Sequence, residues 1–244
     1  MTKHRIWISI ALFGGGAAFA LRLAMRMGVL PWSWGLPVFL AILAAAAAVC
    51  SLKMPRGIST LPAAFAWSRP AAWLTGAGAL MILASGIWEL LPAALEGASL
   101  PLALGGGSVL AGLGLLTASS AIRRPDGRIR GRPLLLPAVA LAVRVLEFYL
   151  VWSTEPVLER FYPELLALCA FTLAFFHLAE FAFCSGSPRK FLWPAVMGTA
   201  LGCMAQAGPL EPLQRLLWGG CTLALLGALC QLRLNPQTAA EEYG

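Results

Sequence analysis

Charged side chains are scarce in this sequence, and apolar ones are abundant. Asp, Glu, Lys and Arg make up 12% of the 244 residues, whereas an average soluble domain has about 25%. Apolar residues account for 59%, against roughly 45–50% in soluble domains. Because a soluble protein needs polar and charged side chains to cover its surface, this composition excludes an ordinary soluble domain. It indicates a protein whose main solvent is lipid.

The residue types that carry familiar catalysis are also missing. Asp126 is the single aspartate, which excludes a paired-aspartate protease, and His4 and His177 are the only histidines, too few for a zinc hydrolase. An intramembrane serine protease needs a serine beside a histidine, but Ser108 and His177 are predicted to differ in depth by ~9 Å. No nucleotide-binding glycine motif is present. We predict no catalytic residue, no metal site and no cofactor.

The cysteines form neither a disulfide framework nor a metal motif. No CxxC pair occurs, and each cysteine lies within an apolar run or at its end. We therefore predict that they act as small packing residues. The six are Cys50, Cys169, Cys184, Cys203, Cys221 and Cys230.

Eight apolar segments are long enough to cross a bilayer, whose ~30 Å core requires about 20 helical residues. Uniform hydrophobicity within each segment favours helices over the alternating strands of a barrel. The sequence therefore predicts an all-α fold, a polytopic transmembrane helix bundle of about eight spans, in which the seventh segment is the shortest. The segments are 6–27, 31–52, 71–91, 101–122, 134–152, 163–184, 191–207 and 213–232.

The basic loops predict the orientation. Residues 123–132 contain five arginines and one acid, and the positive-inside rule places such a segment in the cytoplasm. Alternation then puts most other basic loop residues inside and most acidic ones outside, Glu89 and Glu164 among them. The exceptions are Arg22, Arg26, Arg160 and Arg215. We predict a multi-pass plasma-membrane protein with both termini cytoplasmic, and compact loops favour a bacterial inner membrane.

Tryptophans lie near both predicted boundaries, where indole rings favour the headgroup region. Those predicted at the outer boundary are Trp32, Trp34, Trp88, Trp152 and Trp218; those at the inner boundary are Trp7, Trp67, Trp73 and Trp193.

The first span also resembles a secretory signal, because Lys3 and Arg5 precede an apolar run that contains Ala18-Phe19-Ala20. Cleavage would leave seven spans and an exterior amino terminus. We favour retention, because Arg22 and Arg26 follow at once and the segment has an apparent counterpart later in the chain.

The chain is predicted to form one transmembrane domain, residues 1–234, followed by a disordered cytoplasmic tail, 235–244. A weak internal similarity relates Ala20-Leu21-Arg22-Leu23 to Ala142-Val143-Arg144-Val145. It suggests two parallel four-helix halves, 1–122 and 133–234, an arrangement that transporters use. Chance similarity between apolar stretches is the alternative.

Ionisable residues inside spans are the strongest functional signal. Arg144 and Glu147 are three residues apart in the fifth span, as are His177 and Glu180 in the sixth, so each pair shares a helical face. An ion in hydrocarbon costs at least ~2.5–3.5 kcal/mol, so these faces should point into the bundle. Depth arithmetic brings Arg144 within reach of His177. We predict a cluster that binds an anionic ligand or relays a proton, with a purely structural ion-pair network as the alternative.

Two other features have simpler interpretations. Arg22 lies near the outer end of the first span, where an arginine can extend to the headgroups. Glycine runs in the first, fourth and seventh spans predict close helix packing, with a broken helix at a ligand as the alternative.

Three functions are compatible with these patterns. The leading one is a small-molecule transporter, or a membrane subunit of one, that handles a small molecule or ion. The second is a non-catalytic scaffold or sensor subunit, and the third is an enzyme acting on lipid. The expected partners are the bilayer and, by helix packing, a second copy or another subunit. Nucleic acid is not expected, because the net charge of +7 is spread over short loops between apolar runs.

Overall fold

A computed structural model describes residues 6–29, 35–54, 57, 60–97, 99–121, 132–152 and 158–233. These residues are 88% helical and contain no β-strand, and Phe65 and Leu232 form an isolated antiparallel bridge. The predicted tail, 235–244, and the basic segment 123–131 lie outside the described residues.

The described chain forms nine helices, because in lipid a helix is the open-chain structure that satisfies its own backbone hydrogen bonds. A 3₁₀ turn, Arg132–Leu134, precedes the sixth helix. The helices are α1 (Ile6–Arg26), α2 (Gly35–Leu52), α3 (Leu61–Ala64), α4 (Arg69–Glu96), α5 (Ser99–Ala121), α6 (Leu135–Trp152), α7 (Leu158–Ala182), α8 (Pro188–Gln206) and α9 (Pro212–Gln231).

Proline and glycine mark the helix ends. Helices α4, α8 and α9 each carry a proline in the first turn, where its missing N–H removes no intrahelical bond. Helix α4 ends at Gly97, whose φ of 68° is the left-handed conformation of a helix C-terminal cap.

Seven helices, α1, α2, α4–α7 and α9, are long and apolar enough to cross a membrane. The predicted all-α transmembrane bundle is therefore confirmed. The shortest predicted segment corresponds to α8, which has 19 residues, most of them buried by neighbouring helices. A helix enclosed by protein meets little lipid, so it needs less hydrophobicity than its neighbours.

Two helices extend beyond their predicted ends. Helix α4 continues through Pro92 to Glu96, and α7 begins at Leu158 and passes through Pro163. Glu89 and Glu164, which the sequence grouped with the acidic residues of the outer loops, lie inside α4 and α7, within the predicted segments 71–91 and 163–184. Grouping them with loop charges was wrong because each carboxylate has an arginine partner inside the protein.

Six helices close a ring. Each of α4 to α9 packs against the next along the chain, and α9 packs back against α4. The α4–α9 crossing is close because two glycines meet there, and a Cβ added at Gly220 would lie 2.7 Å from the carbonyl oxygen of Gly78. Helices α1 and α2 lie outside the ring and pack on α8. The predicted halves, 1–122 and 133–234, stay a prediction.

The bundle has two ends, named here after α1 as the Trp7 end and the Arg22 end. At the Trp7 end, α3 and the residues after it pack into the bundle, where the Phe65 ring lies 5.1 Å from that of Phe181. Arg233 N donates to Ala64 O at 2.8 Å. The segment between α2 and α4 is thus partly packed structure.

Large apolar side chains cover the outer surface, as lipid contact requires. Phe13 and Trp73 are 79% exposed and Leu95 is 89% exposed. Two tryptophans predicted at the boundaries are buried. Trp7 donates through Nε1 to Leu229 O at 3.4 Å, and Trp218 packs edge-on against Phe171. These two rings contact protein, and their depth near the boundaries stays a prediction.

Candidate functional site

Arg144 lies at the centre of the six-helix ring. From α6 its Nη2 forms an ion pair with Oε2 of Glu89 on α4. The same nitrogen donates to Ser108 Oγ on α5 at 3.0 Å, and Nε donates to that oxygen at 3.3 Å. Ser108 Oγ in turn donates to Leu104 O at 3.0 Å. Three helices therefore hold the guanidinium in one place.

The cavity beside this pair is small. It has a volume of about 10 Å³ and is lined by Ser108, Arg144, Phe175 and Cys221 together with apolar side chains of α4, α5, α6 and α9. A cavity needs roughly 10–15 Å³ of such volume to hold one water. The ring axis is therefore closed at the level of Arg144.

Glu147 does not pair with Arg144, although the two share a helical face. It is partly buried, close enough to Arg144 and Glu89 for their charges to act on it, and within the described chain it forms no ion pair. Glu89 has taken the place that the sequence gave to Glu147.

His177 and Glu180 come together, but away from Arg144. Nδ1 of His177 lies 3.2 Å from Oε2 of Glu180, and the atoms are close enough for an ion pair without hydrogen-bond alignment. Phe175 lines the ring cavity, and two residues along a helix turn the side chain by about 200°. His177 therefore faces out of the ring, and the structure gives Arg144 the partners Glu89 and Ser108 instead of His177.

A cleft of about 520 Å³ opens beside His177 at the Trp7 end. Its walls come from α2, α7 and the first turns of α8. The polar side chains are Ser51, His177, Ser187, Arg189 and Lys190, and the apolar ones are Leu173, Trp193 and Pro194. Trp193 is fixed by a hydrogen bond from Nε1 to Ala44 O at 3.3 Å. The volume lies within the roughly 300–1,000 Å³ range of small-molecule sites.

Sequence reasoning missed a second buried ion pair. Arg22 on α1 pairs through Nη2 with Oε1 of Glu164 on α7, and the two side chains are 4% and 0% exposed. Arg22 therefore does not extend to the headgroups, and that interpretation was wrong because Glu164 supplies a partner inside the protein. Gly208 packs directly over the pair.

Two other basic exceptions, Arg26 and Arg215, also have partners, whereas the side chain of Arg160 lies outside the described residues. Arg26 Nη1 donates to Ala207 O at 3.5 Å and to Gly208 O at 3.4 Å. Arg215 Nε donates to Leu210 O at 3.1 Å. Helix α8 ends at Gln206, so both arginines lie at the negative end of its dipole. Both arginines thus bond backbone carbonyls that follow the last turn of α8.

No candidate for metal or disulfide chemistry emerges from the part of the chain that is described. No three His, Cys, Asp or Glu side chains there are grouped as metal ligands, and all six cysteines are free thiols. The chemistry available is that of two matched ion pairs and one open cationic cleft. Comparison of the chain with protein-family models, with curated proteins and with solved structures finds no match.

Proposed function

We propose that this integral membrane protein is a small-molecule transporter, or the membrane subunit of one, whose pathway follows the axis of the six-helix ring. The observation that carries the proposal is the position of Arg144. Apolar helices can pack into a ring without an arginine between them. An ionisable residue inside a membrane protein therefore favours a functional role. The Arg144–Glu89–Ser108 cluster acts as the gate, and the structure corresponds to its closed state.

The gate fits a pathway because its partners come from different helices. Arg144, Glu89 and Ser108 belong to α6, α4 and α5. When those helices move relative to one another, Arg144 loses its hydrogen bonds to Glu89 and Ser108 and contacts a solute instead. Packed helix interfaces can switch between two such arrangements. An anionic solute replaces the carboxylate of Glu89 on the guanidinium.

The orientation belongs to the same proposal. The Trp7 end faces the cytoplasm of a bacterial cell, which puts Arg69, Arg189 and Lys190 inside. A reporter that is active only in the cytoplasm, fused after Gly244, gives signal under this orientation. Signal from a periplasm-specific reporter at the same position contradicts it.

The transport proposal is tested with a chain that retains Cys221 as its one cysteine. Cys221 lines the ring cavity and is 1% exposed. We expect a membrane-impermeant thiol reagent to label it slowly in liposomes, and several-fold faster after Arg144→Gln opens the gate. The matched control retains Cys203 alone, which faces Gly15 of α1 outside the ring, and its labelling should not respond to Arg144→Gln.

A scaffold or sensor subunit is the second candidate, and the pairing of both arginines inside the bundle favours it. Arg22 and Arg144 each have a glutamate partner, so the pairs are sufficient to fix helix packing. Under this alternative Cys221 stays unlabelled from both sides with either residue at 144, yet reacts after denaturation. That result rejects the ring-axis pathway.

A further inference from the structure

The cleft beside His177 lies on the opposite side of α7 from the proposed transport pathway, and no role described above uses it. It opens at the Trp7 end between α2, α7 and α8. Its charged residues are Arg189 and Lys190, and His177 and Trp193 also line it. No carboxylate among the described residues lines the cleft, and that of Glu180 lies 3.2 Å from Nδ1 of His177.

The two cations of the cleft differ from every buried arginine of the bundle. Arg22 and Arg144 are matched by Glu164 and Glu89. Within the described residues neither Arg189 nor Lys190 forms an ion pair with a carboxylate. The described residues therefore leave both positive charges of the cleft without a carboxylate partner, and an anionic ligand is their complement.

A second, independent feature points to the same kind of ligand. Ser187 is the N-cap of α8, it is 8% exposed and lines the cleft, and its hydroxyl forms no cap hydrogen bond. The hydroxyl thus does not make the bond to a first-turn N–H that is usual at this position. The positive end of the α8 dipole opens into the cleft at the same place, and helix amino termini bind phosphate groups.

We propose that this cleft binds the phosphate group of an amphiphilic or aromatic molecule. A phosphate monoester carries about −1.5 to −2 charges at neutral pH, which matches two cations, and its several oxygens accept from Arg189, Lys190 and Ser187 together. Trp193 and Leu173 form an apolar flank for the attached organic group. This chemistry is shared by a phospholipid headgroup and by a free phosphate ester.

The full chain is tested in two arms that distinguish these sources. In nonionic detergent, calorimetry measures the binding of phenyl phosphate. In nanodiscs, native mass spectrometry measures the retention of phosphatidic acid from a mixture with phosphatidylcholine. Binding of phenyl phosphate identifies a soluble ester, and retention of phosphatidic acid alone identifies a lipid.

The variant Arg189→Gln/Lys190→Gln is expected to lose at least about tenfold in affinity, as the loss of charged hydrogen bonds predicts. Its control, Lys53→Gln/Arg69→Gln, removes two exposed charges from the same end outside the cleft and should bind like the unmodified chain. The single variants Arg189→Gln and Lys190→Gln should give smaller losses of affinity. They keep the test decisive if the double variant does not fold. Absence of binding in both arms, or equal losses in the test and control variants, overturns the proposal.

Discussion

The ring centre and the His177 cleft differ in whether their positive side chains have a carboxylate partner among the described residues. In the ring, Arg144 faces Glu89 and Ser108 around a cavity of about 10 Å³. In the cleft, Arg189 and Lys190 line about 520 Å³ of open space without a carboxylate partner among the described residues. The first region neutralises its charge within the protein, and the second is where we propose that a ligand does so.

The difference follows from the cost of charge at each depth. Arg144 sits in the middle of α6, where an unmatched charge is expensive, so the fold supplies a counter-ion from another helix. Arg189 and Lys190 lie in the first turn of α8, where water and headgroups are near and a partner is not required. Burial therefore decides which cations hold the fold together and which can bind something else.

The largest effect is expected at the most deeply buried pair. Glu164→Gln leaves Arg22 without a counter-charge, and breaking a buried pair costs about 3–5 kcal/mol. We expect a large drop in the thermal unfolding midpoint in detergent, whereas Glu96→Gln, at an exposed carboxylate, should have no effect. Replacing both partners, Arg22→Met with Glu164→Leu, should recover much of the loss. A double variant less stable than either single one contradicts the pairing.

The closed wall of the ring is tested next, at the α4–α9 crossing. A Cβ at Gly78 collides with the backbone of Gly220, whereas a Cβ at Gly76 meets nothing within 4 Å. Gly78→Ala should destabilise the protein by about 1–3 kcal/mol, as overpacking does. Gly76→Ala should be neutral or stabilising by up to about 1 kcal/mol. Chemical unfolding in detergent compares the two, and equal effects mean that the helices are not in contact there.

A smaller loss is expected when one hydrogen-bond partner of Arg144 is removed. Ser108→Ala should cost roughly 1.5 kcal/mol, the lower range for hydrogen bonds to charged groups, because the pair is partly exposed. Ser85→Ala is the control, since its hydroxyl bonds only Ile82 O in its own helix. If both serines give the same change in unfolding free energy, Ser108 does not support the guanidinium.

The smallest effect should come from the cleft. Arg189→Gln with Lys190→Gln breaks no ion pair among the described residues. The free energy of unfolding should therefore stay within about 0.5 kcal/mol of that of the unmodified protein. A loss as large as that of Glu164→Gln means that these cations are structural, which removes the contrast between the two regions.

Sequence alone was sufficient for the fold class and for the faces of single helices. The shortage of charge predicted a membrane bundle, and three-residue spacing predicted that His177 and Glu180 meet. It failed where the answer depends on how helices are arranged. The ring positions Glu89 opposite Arg144, and a pattern along one helix carries no information about the rotation of another.

The Arg22–Glu164 pair, which the sequence did not predict, shows the same limit of reasoning from single helices. Arg22 and Glu164 are 142 positions apart, and each, taken alone, fits a membrane boundary. A signal was present, because a glutamate directly after Pro163 and an arginine in an apolar run lie at matching depth. Choosing the partner required knowing that α1 packs on α8 beside α7, which is tertiary information.

The contrast between a closed ring axis and an open cleft is tested most directly by thiol reactivity in two single-cysteine chains. One carries Leu173→Cys in the cleft wall, and the other retains Cys221 at the ring axis. With an impermeant thiol reagent in detergent, the cysteine at 173 should react much faster than Cys221 in the native protein. The two rates should become equal after denaturation. Equal rates in the native state contradict the account.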